Sequence, residues 1–112
     1  MEIRLLLVES DAELRGKLWN MLVLYRVFHL VAEVETVTEA MSYIASHEVD
    51  VVFTNRIPAD VSRTSDGAYL SAILAQTNPD IQVVMYSDHQ EDAYHAFWSQ
   101  CAGFLLMPFD PL

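Results

Sequence analysis

Three apolar runs in this chain end on residues that could do chemistry. Glu9-Ser10-Asp11 follows Ile3 to Val8, Asn55 closes Asp50-Val51-Val52-Phe53-Thr54-Asn55, and Ser87 closes Val83-Val84-Met85-Tyr86-Ser87. Glu9 could ligate a metal. Beside a serine and an amide, however, it reads more simply as a carboxylate favoured by neighbouring helix N-termini. Asn55 cannot ionise, is a poor nucleophile and is a weak metal ligand. Ser87 could ligate an anion or be modified, and it could equally cap a helix. Asp60 and Asp66 lie in a polar stretch with no metal cluster to activate them. His29, His47, His89 and His95 show no paired ligand spacing with one another or with Cys101. Cys101 reads as a small buried hydrophobe. These residues compose no catalytic site, and enzymatic activity is not expected.

The elements that would position them follow from periodicity. Ile3 to Val8 is apolar apart from Arg4 and predicts a buried strand. Ser10 with Glu13 three residues on has capping-box spacing. It opens a helix on which Leu14, Leu18, Met21, Leu22 and Tyr25 recur. His29 to Glu35 predicts a second strand. Thr36 and Glu39 repeat the capping-box spacing ahead of Val37, Ala40, Met41 and Ile44. Val49 to Thr54 predicts the central strand. Asn55 to Gly67, with Pro58, Ser62 and Ser65, is a long polar loop of the kind that is usually functional or mobile. Ala68 to Gln76 predicts a helix that Asn78-Pro79-Asp80 stops. Ile81 to Tyr86 predicts a fourth strand, and Ser87 or Asp88 caps a helix running to about Cys101. Gly103 to Met107 predicts a fifth strand, closed by Pro108. Five strands alternating with four helices predict one doubly wound α/β domain with a parallel sheet. In such a sheet chemistry gathers beyond the carboxyl ends of the strands, where Glu9, Asn55 and Ser87 stand.

Composition narrows the functions further. Six Lys plus Arg against sixteen Asp plus Glu give a formal charge of −10. A phosphate backbone needs clustered basic residues, so direct nucleic-acid binding by this segment is not expected. Asp88, Glu91 and Asp92 form an acidic group, read first as a solvated face and second as a contact for a basic partner. Leu18 to Val31, the richest apolar stretch, is broken by Asn20, Arg26 and His29, so no membrane span is expected. Met1-Glu2-Ile3-Arg4 lacks the basic head of a signal peptide. One cysteine allows no internal disulfide and suits a reducing cytoplasm.

In this order the strand ends resemble the receiver domain of two-component response regulators. Leu6-Leu7-Val8-Glu9-Ser10-Asp11 resembles the strand-one ending, where two adjacent acids hold Mg²⁺. Asp50 to Asn55 resembles the strand-three ending, where the last residue is the phosphoacceptor aspartate. Asp66-Gly67 resembles the Asp-Gly before helix three, and Val83 to Ser87 resembles the ending whose Ser or Thr contacts the phosphoryl group. Gly103-Phe104-Leu105-Leu106-Met107-Pro108-Phe109 resembles the strand-five signature, with an aromatic switch residue three positions before the conserved lysine. Asp92 to Phe97 followed by Gly103 to Leu106 is also similar to receivers of the LytTR transcription-factor type. The resemblance implies a flavodoxin-like five-stranded parallel sheet of strand order 2-1-3-4-5. It also implies a fifth helix, missing or truncated here, because the chain reaches Leu112 at the Pro-Phe-Asp segment. Residues 1–112 are then expected to be the N-terminal receiver of a longer regulator. Trp19, Leu22, Val23, Val27 and Phe28 supply apolar surface that the missing helix would leave partly bare.

The departures from that pattern direct the function. Glu9 is kept, but the second acid is Ser10, the acceptor position is Asn55 and the lysine position is Met107. Aligning instead on Pro58 puts Thr54 at the acceptor position, and neither register supplies an aspartate. Ser87 and Phe104 are the surviving switch residues. Losing acids and lysine together is consistent, since an unpaired buried charge is costly. The expectation is a non-phosphorylatable pseudo-receiver without Mg²⁺ or another cofactor. It would act through a protein partner or a homodimer at the helix-four and strand-five face, and control a C-terminal DNA-binding output domain. The alternatives are a receiver using Asp11, Asp60 or Asp66 as acceptor, and a small-molecule sensor binding among Glu9, Asn55 and Ser87.

Overall fold

The computed structural model describes residues 2–56 and 67–107. Its elements run β1 (Ile3–Val8), α1 (Ala12–Leu22), β2 (Phe28–Val34), α2 (Val37–Ser46), β3 (Val51–Asn55), α3 (Gly67–Thr77), β4 (Gln82–Ser87), α4 (Asp92–Trp98) and β5 (Gly103–Leu106). The five strands form one parallel sheet of order β2-β1-β3-β4-β5, the order implied by the resemblance. Four helices occur among the described residues. None of them is long and apolar enough to cross a membrane. Most of the expected loop, with Pro58, Ser62, Ser65 and the candidate acceptors Asp60 and Asp66, lies outside the described residues, as do Pro108 and Phe109.

The strands read as continuous apolar runs because helices cover both faces of the sheet. On one face Leu6, Val8, Val52 and Val83 pack with Val37, Ala40 and Ile44 of α2 and Leu70 and Leu74 of α3. On the other, Leu5, Leu7, Phe53 and Tyr86 pack with Leu18 and Leu22 of α1. Parallel register aligns the ends: Val8 pairs with Thr54, Thr54 with Met85, and Asn55 with Tyr86. Of the surface expected to be bare, Leu22 is buried under α1, while Val23 and Val27 are exposed beside Leu24.

Two helix starts differ from the sequence reading. Asp11, not Ser10, caps α1, its side chain accepting from the amides of Glu13 and Leu14 at 2.9 and 3.1 Å. Both residue types cap well, and a carboxylate also answers the helix dipole, so the acid one position later takes the role. Thr36 caps α2 as its spacing predicts, accepting from the Glu39 amide at 3.1 Å. α4 begins only at Asp92, and its N-cap residue Glu91 makes no side-chain cap bond. The Ser87 hydroxyl accepts from the His89 amide at 3.0 Å and so closes the turn before α4 rather than α4 itself. The helix ends at Trp98 instead of running to Cys101, because Gln100 adopts a left-handed φ of 66°.

At the amino end of the sheet, Arg4 fastens β1 to the entry of β3. Its guanidinium donates to both carboxylate oxygens of Asp50 at 3.0 Å, and its amide donates to the same carboxylate at 2.8 Å. Glu48 accepts from the remaining arm. The arginine explains the single charge in an otherwise apolar strand.

Candidate functional site: the strand ends around Glu9

Glu9 is 2% exposed, an unusual position for a carboxylate unless it is fully hydrogen-bonded. Three donors satisfy it. The Asn55 side-chain amide donates to Oε1 at 2.8 Å, the Tyr86 hydroxyl donates to the same oxygen at 2.9 Å, and the Asp11 amide donates to Oε2 at 3.0 Å. The strand order places these groups together: Glu9 leaves β1, Asn55 ends β3, and Tyr86 sits opposite Asn55 on β4. The main chain is held as well. The Glu9 amide donates to the Val34 carbonyl at 3.0 Å, and Arg15 of α1 donates to the Glu9 carbonyl at 2.8 Å.

Tyr86 was not singled out by the sequence, because a tyrosine inside an aliphatic run reads as one more core residue. The available signal was its hydroxyl: a buried tyrosine normally finds a hydrogen-bond partner. Its ring stacks on Phe53 at 4.7 Å between centroids, and its hydroxyl also lies 3.3 Å from the Val8 carbonyl. Burial first, and then the Glu9 carboxylate, push the phenol well above its ordinary range. It therefore stays protonated and remains a donor. Arg15 was missed too, since nothing in a helical period marks which exposed arginine folds back onto a strand end.

Asn55 and Thr54, the two candidate positions for a phosphoacceptor, occupy different environments. Asn55 is the one whose side chain reaches Glu9. Thr54 is buried on the other side of the strand, its hydroxyl donating to the Asn55 carbonyl at 3.2 Å. Gly67 seals that side: a Cβ there would lie 2.4 Å from the Asn55 carbonyl oxygen and 3.1 Å from the Thr54 side chain. The sequence placed Gly67 only at the end of the polar loop, in the Asp-Gly before helix three. Its position demands close backbone approach.

The remaining candidates are dispersed. Ser10 is exposed. Ser87 is buried, but its hydroxyl donates to Asp92 at 2.5 Å, so it serves the β4–α4 turn. The Met107 amide donates to the Ser87 carbonyl at 2.7 Å, and its side chain packs partly buried against the Leu5, Leu7 and Phe53 cluster. Phe104 pairs with Met85 on the sheet face that α4 covers and is half-buried. Asp11 is engaged as the α1 cap. Cys101 is half-buried with its thiol donating to the Gly103 carbonyl at 3.3 Å, and burial raises its pKa. Among the described residues no group of three or more His, Cys, Asp or Glu could hold a metal ion.

No family model matches the sequence, and a search of the curated proteins gives no match. Solved structures do match. The signal receiver domain of the response regulator NarL from Mycobacterium tuberculosis superposes with a TM-score of 0.84 at 24% identity, over 98% of this chain and 87% of that one. A LuxR-family two-component response regulator from Aurantimonas sp. SI85-9A1 gives 0.85 at 19% identity, over 99% and 78%. The isolated REC domain of RcsB from Salmonella enterica serovar Typhimurium, in the presence of the phosphomimetic BeF3−, gives 0.83 at 15% identity, over 99% and 81%. The chain has the receiver fold.

Proposed function

We propose that this chain is a pseudo-receiver: a signalling module of receiver fold that is not phosphorylated and acts by binding protein. The observation that supports this function is the closure of the Glu9 carboxylate. Mg²⁺ prefers several anionic oxygens and keeps much of its hydration. Among the described residues a single carboxylate is available there, and both of its oxygens already accept from protein donors. Asn55 turns its NH₂ group, a donor, toward that carboxylate. The residues fit a Mg²⁺ ion poorly, and Asn55 offers no carboxylate oxygen to receive a phosphoryl group. The signal would then arrive through a protein partner or a second copy at α4 and β5, which pack together at the sheet edge, and pass to a C-terminal DNA-binding output domain. Ser87, tied to Asp92 of α4, and Phe104 of β5 are the residues through which it would pass. In this proposal the chain is similar to the receivers of LytTR-type transcription regulators.

The test is intact mass after treatment with acetyl phosphate and Mg²⁺, read together with tryptophan fluorescence. An unchanged mass and an unchanged emission are expected. A stoichiometric phosphoryl adduct overturns the proposal, and mapping it would identify the acceptor.

A further inference from the structure

Helix α4 carries its apolar stripe on the outside. Tyr94, Phe97 and Trp98 recur at the i, i+3, i+4 spacing that ordinarily faces a core. Yet they are 67, 81 and 69% exposed, while the residue turned inward is the small Ala96. Leu106 of the edge strand β5, on the sheet face that α4 covers, is exposed as well. Scattered single apolar residues need no explanation, but a contiguous aromatic stripe on a two-turn helix marks an interaction surface.

Charge decides what covers it. Asp88 and Glu91 stand exposed just before the stripe, and Asp92 opens the helix. All six Lys and Arg lie between Arg4 and Arg63, so the chain has no lysine or arginine from there to its end. The histidines near the face are His89, within 3.4 Å of Asp88 and 3.7 Å of Glu91, and His95 on α4, its ring 6.4 Å from that of Tyr94. A second copy on this face would set acid against acid with no lysine or arginine to pair. A basic partner would find carboxylates for its cations and aromatic faces for cation–π contact.

We propose that the α4–β5 face docks a basic, amphipathic segment of another protein rather than a second copy of this chain. Its apolar side chains cover Phe97 and Trp98, and its Arg or Lys side chains pair with Asp88 and Glu91. The partner assignment deepens the binding role proposed above, yet it requires no statement about phosphorylation. A phosphoryl adduct would overturn the pseudo-receiver and leave the docking result standing.

The experiment uses the 112-residue chain and two synthetic helical peptides with the same leucine positions, one with arginine and the other with glutamate at the polar positions. Tryptophan fluorescence reads binding, and sedimentation reads the chain alone. The arginine peptide is expected to bind saturably at one to one, and the glutamate peptide not at all. Phe97→Ser and Glu91→Lys, both at exposed positions, are each expected to weaken binding by about tenfold or more. Glu13→Lys on α1 makes the same change in net charge on the other face of the sheet and should weaken it by less than about threefold. The chain alone should sediment as a monomer. Equal losses from Glu13→Lys and Glu91→Lys would reduce the binding to bulk charge and overturn the proposal. So would indifference to Phe97→Ser, absence of binding, or a dimer that Phe97→Ser dissolves.

Discussion

The Tyr86 hydroxyl reaches from β4 across the end of β3 to the Glu9 carboxylate beyond β1, at 2.9 Å. With Asn55 donating to the same oxygen, the ends of the three central strands are joined through one buried anion. A satisfied buried network of this kind is rigid and intolerant of losing a member.

Tyr86→Phe removes a single donor and keeps the ring on Phe53. The expected loss is about 2 kcal/mol, the scale of a hydrogen bond to a charged group whose acceptor stays buried. Urea denaturation with an unchanged m-value would measure it. A loss below about 0.5 kcal/mol would mean that water replaces the hydroxyl.

Asn55→Asp sets a second carboxylate against Glu9 where a donor stood. Repulsion and burial raise the folded-state pKa of one of the two above its unfolded value. Stability lost in this way is lost in full at neutral pH and returns as pH falls through the raised pKa. The variant is therefore expected to be about 2 kcal/mol or more less stable at pH 7 and to approach the parent in acid. Added Mg²⁺ should narrow the gap at pH 7. Thermal melts at pH 7 and pH 5, with and without the cation, test this.

Two glycines should respond with opposite signs. A methyl at Gly67 meets the Asn55 carbonyl oxygen at 2.4 Å, backbone that cannot step aside, so Gly67→Ala should cost about 1–3 kcal/mol. Gly16 lies inside α1 with nothing near its missing Cβ. There, Gly16→Ala should stabilise by about 0.5–1 kcal/mol through helix propensity. The two urea midpoints, compared with the parent, give both signs in one experiment.

Asp50 supplies an acid-sensitive clasp. Its hydrogen bonds from the Arg4 side chain and amide hold its pKa down to about 2. A carboxylate depressed in the folded state stabilises above its unfolded pKa and loses that contribution as pH falls through the folded one. The parent should therefore lose stability relative to Asp50→Asn between about pH 4 and pH 2. Because the pair is solvent-exposed, salt should shrink the difference. Parallel slopes for the two proteins across that range would contradict the role given to Arg4.

The strands and the placing of Glu9 and Asn55 were legible because period and polarity agree at each strand end, while the strand order came from the resemblance to receiver domains. Thr36 was legible for the same reason: its capping spacing and the following apolar stripe point to one helix start. What escaped was decided by partners distant in sequence. Tyr86 reads as core until its hydroxyl is seen to meet a residue 77 positions away. The cap of α1 depended on whether Ser10 or Asp11 left the strand in the right register, and the two are nearly equivalent in propensity. The stripe of α4 misleads in the opposite direction. Its spacing is that of a core-facing helix, and only the packing of Ala96 reveals that the aromatics face outward.

The central claim is that both oxygens of the Glu9 carboxylate are already engaged by protein donors. A Mg²⁺ titration followed by NMR tests it most directly, reading the Asn55 side-chain amide and the Asp11 backbone amide, both of which donate to that carboxylate. Neither resonance is expected to move at millimolar Mg²⁺. Saturable shifts of both would show a cation displacing the donors from Glu9, and would contradict the closed site on which the proposed function rests.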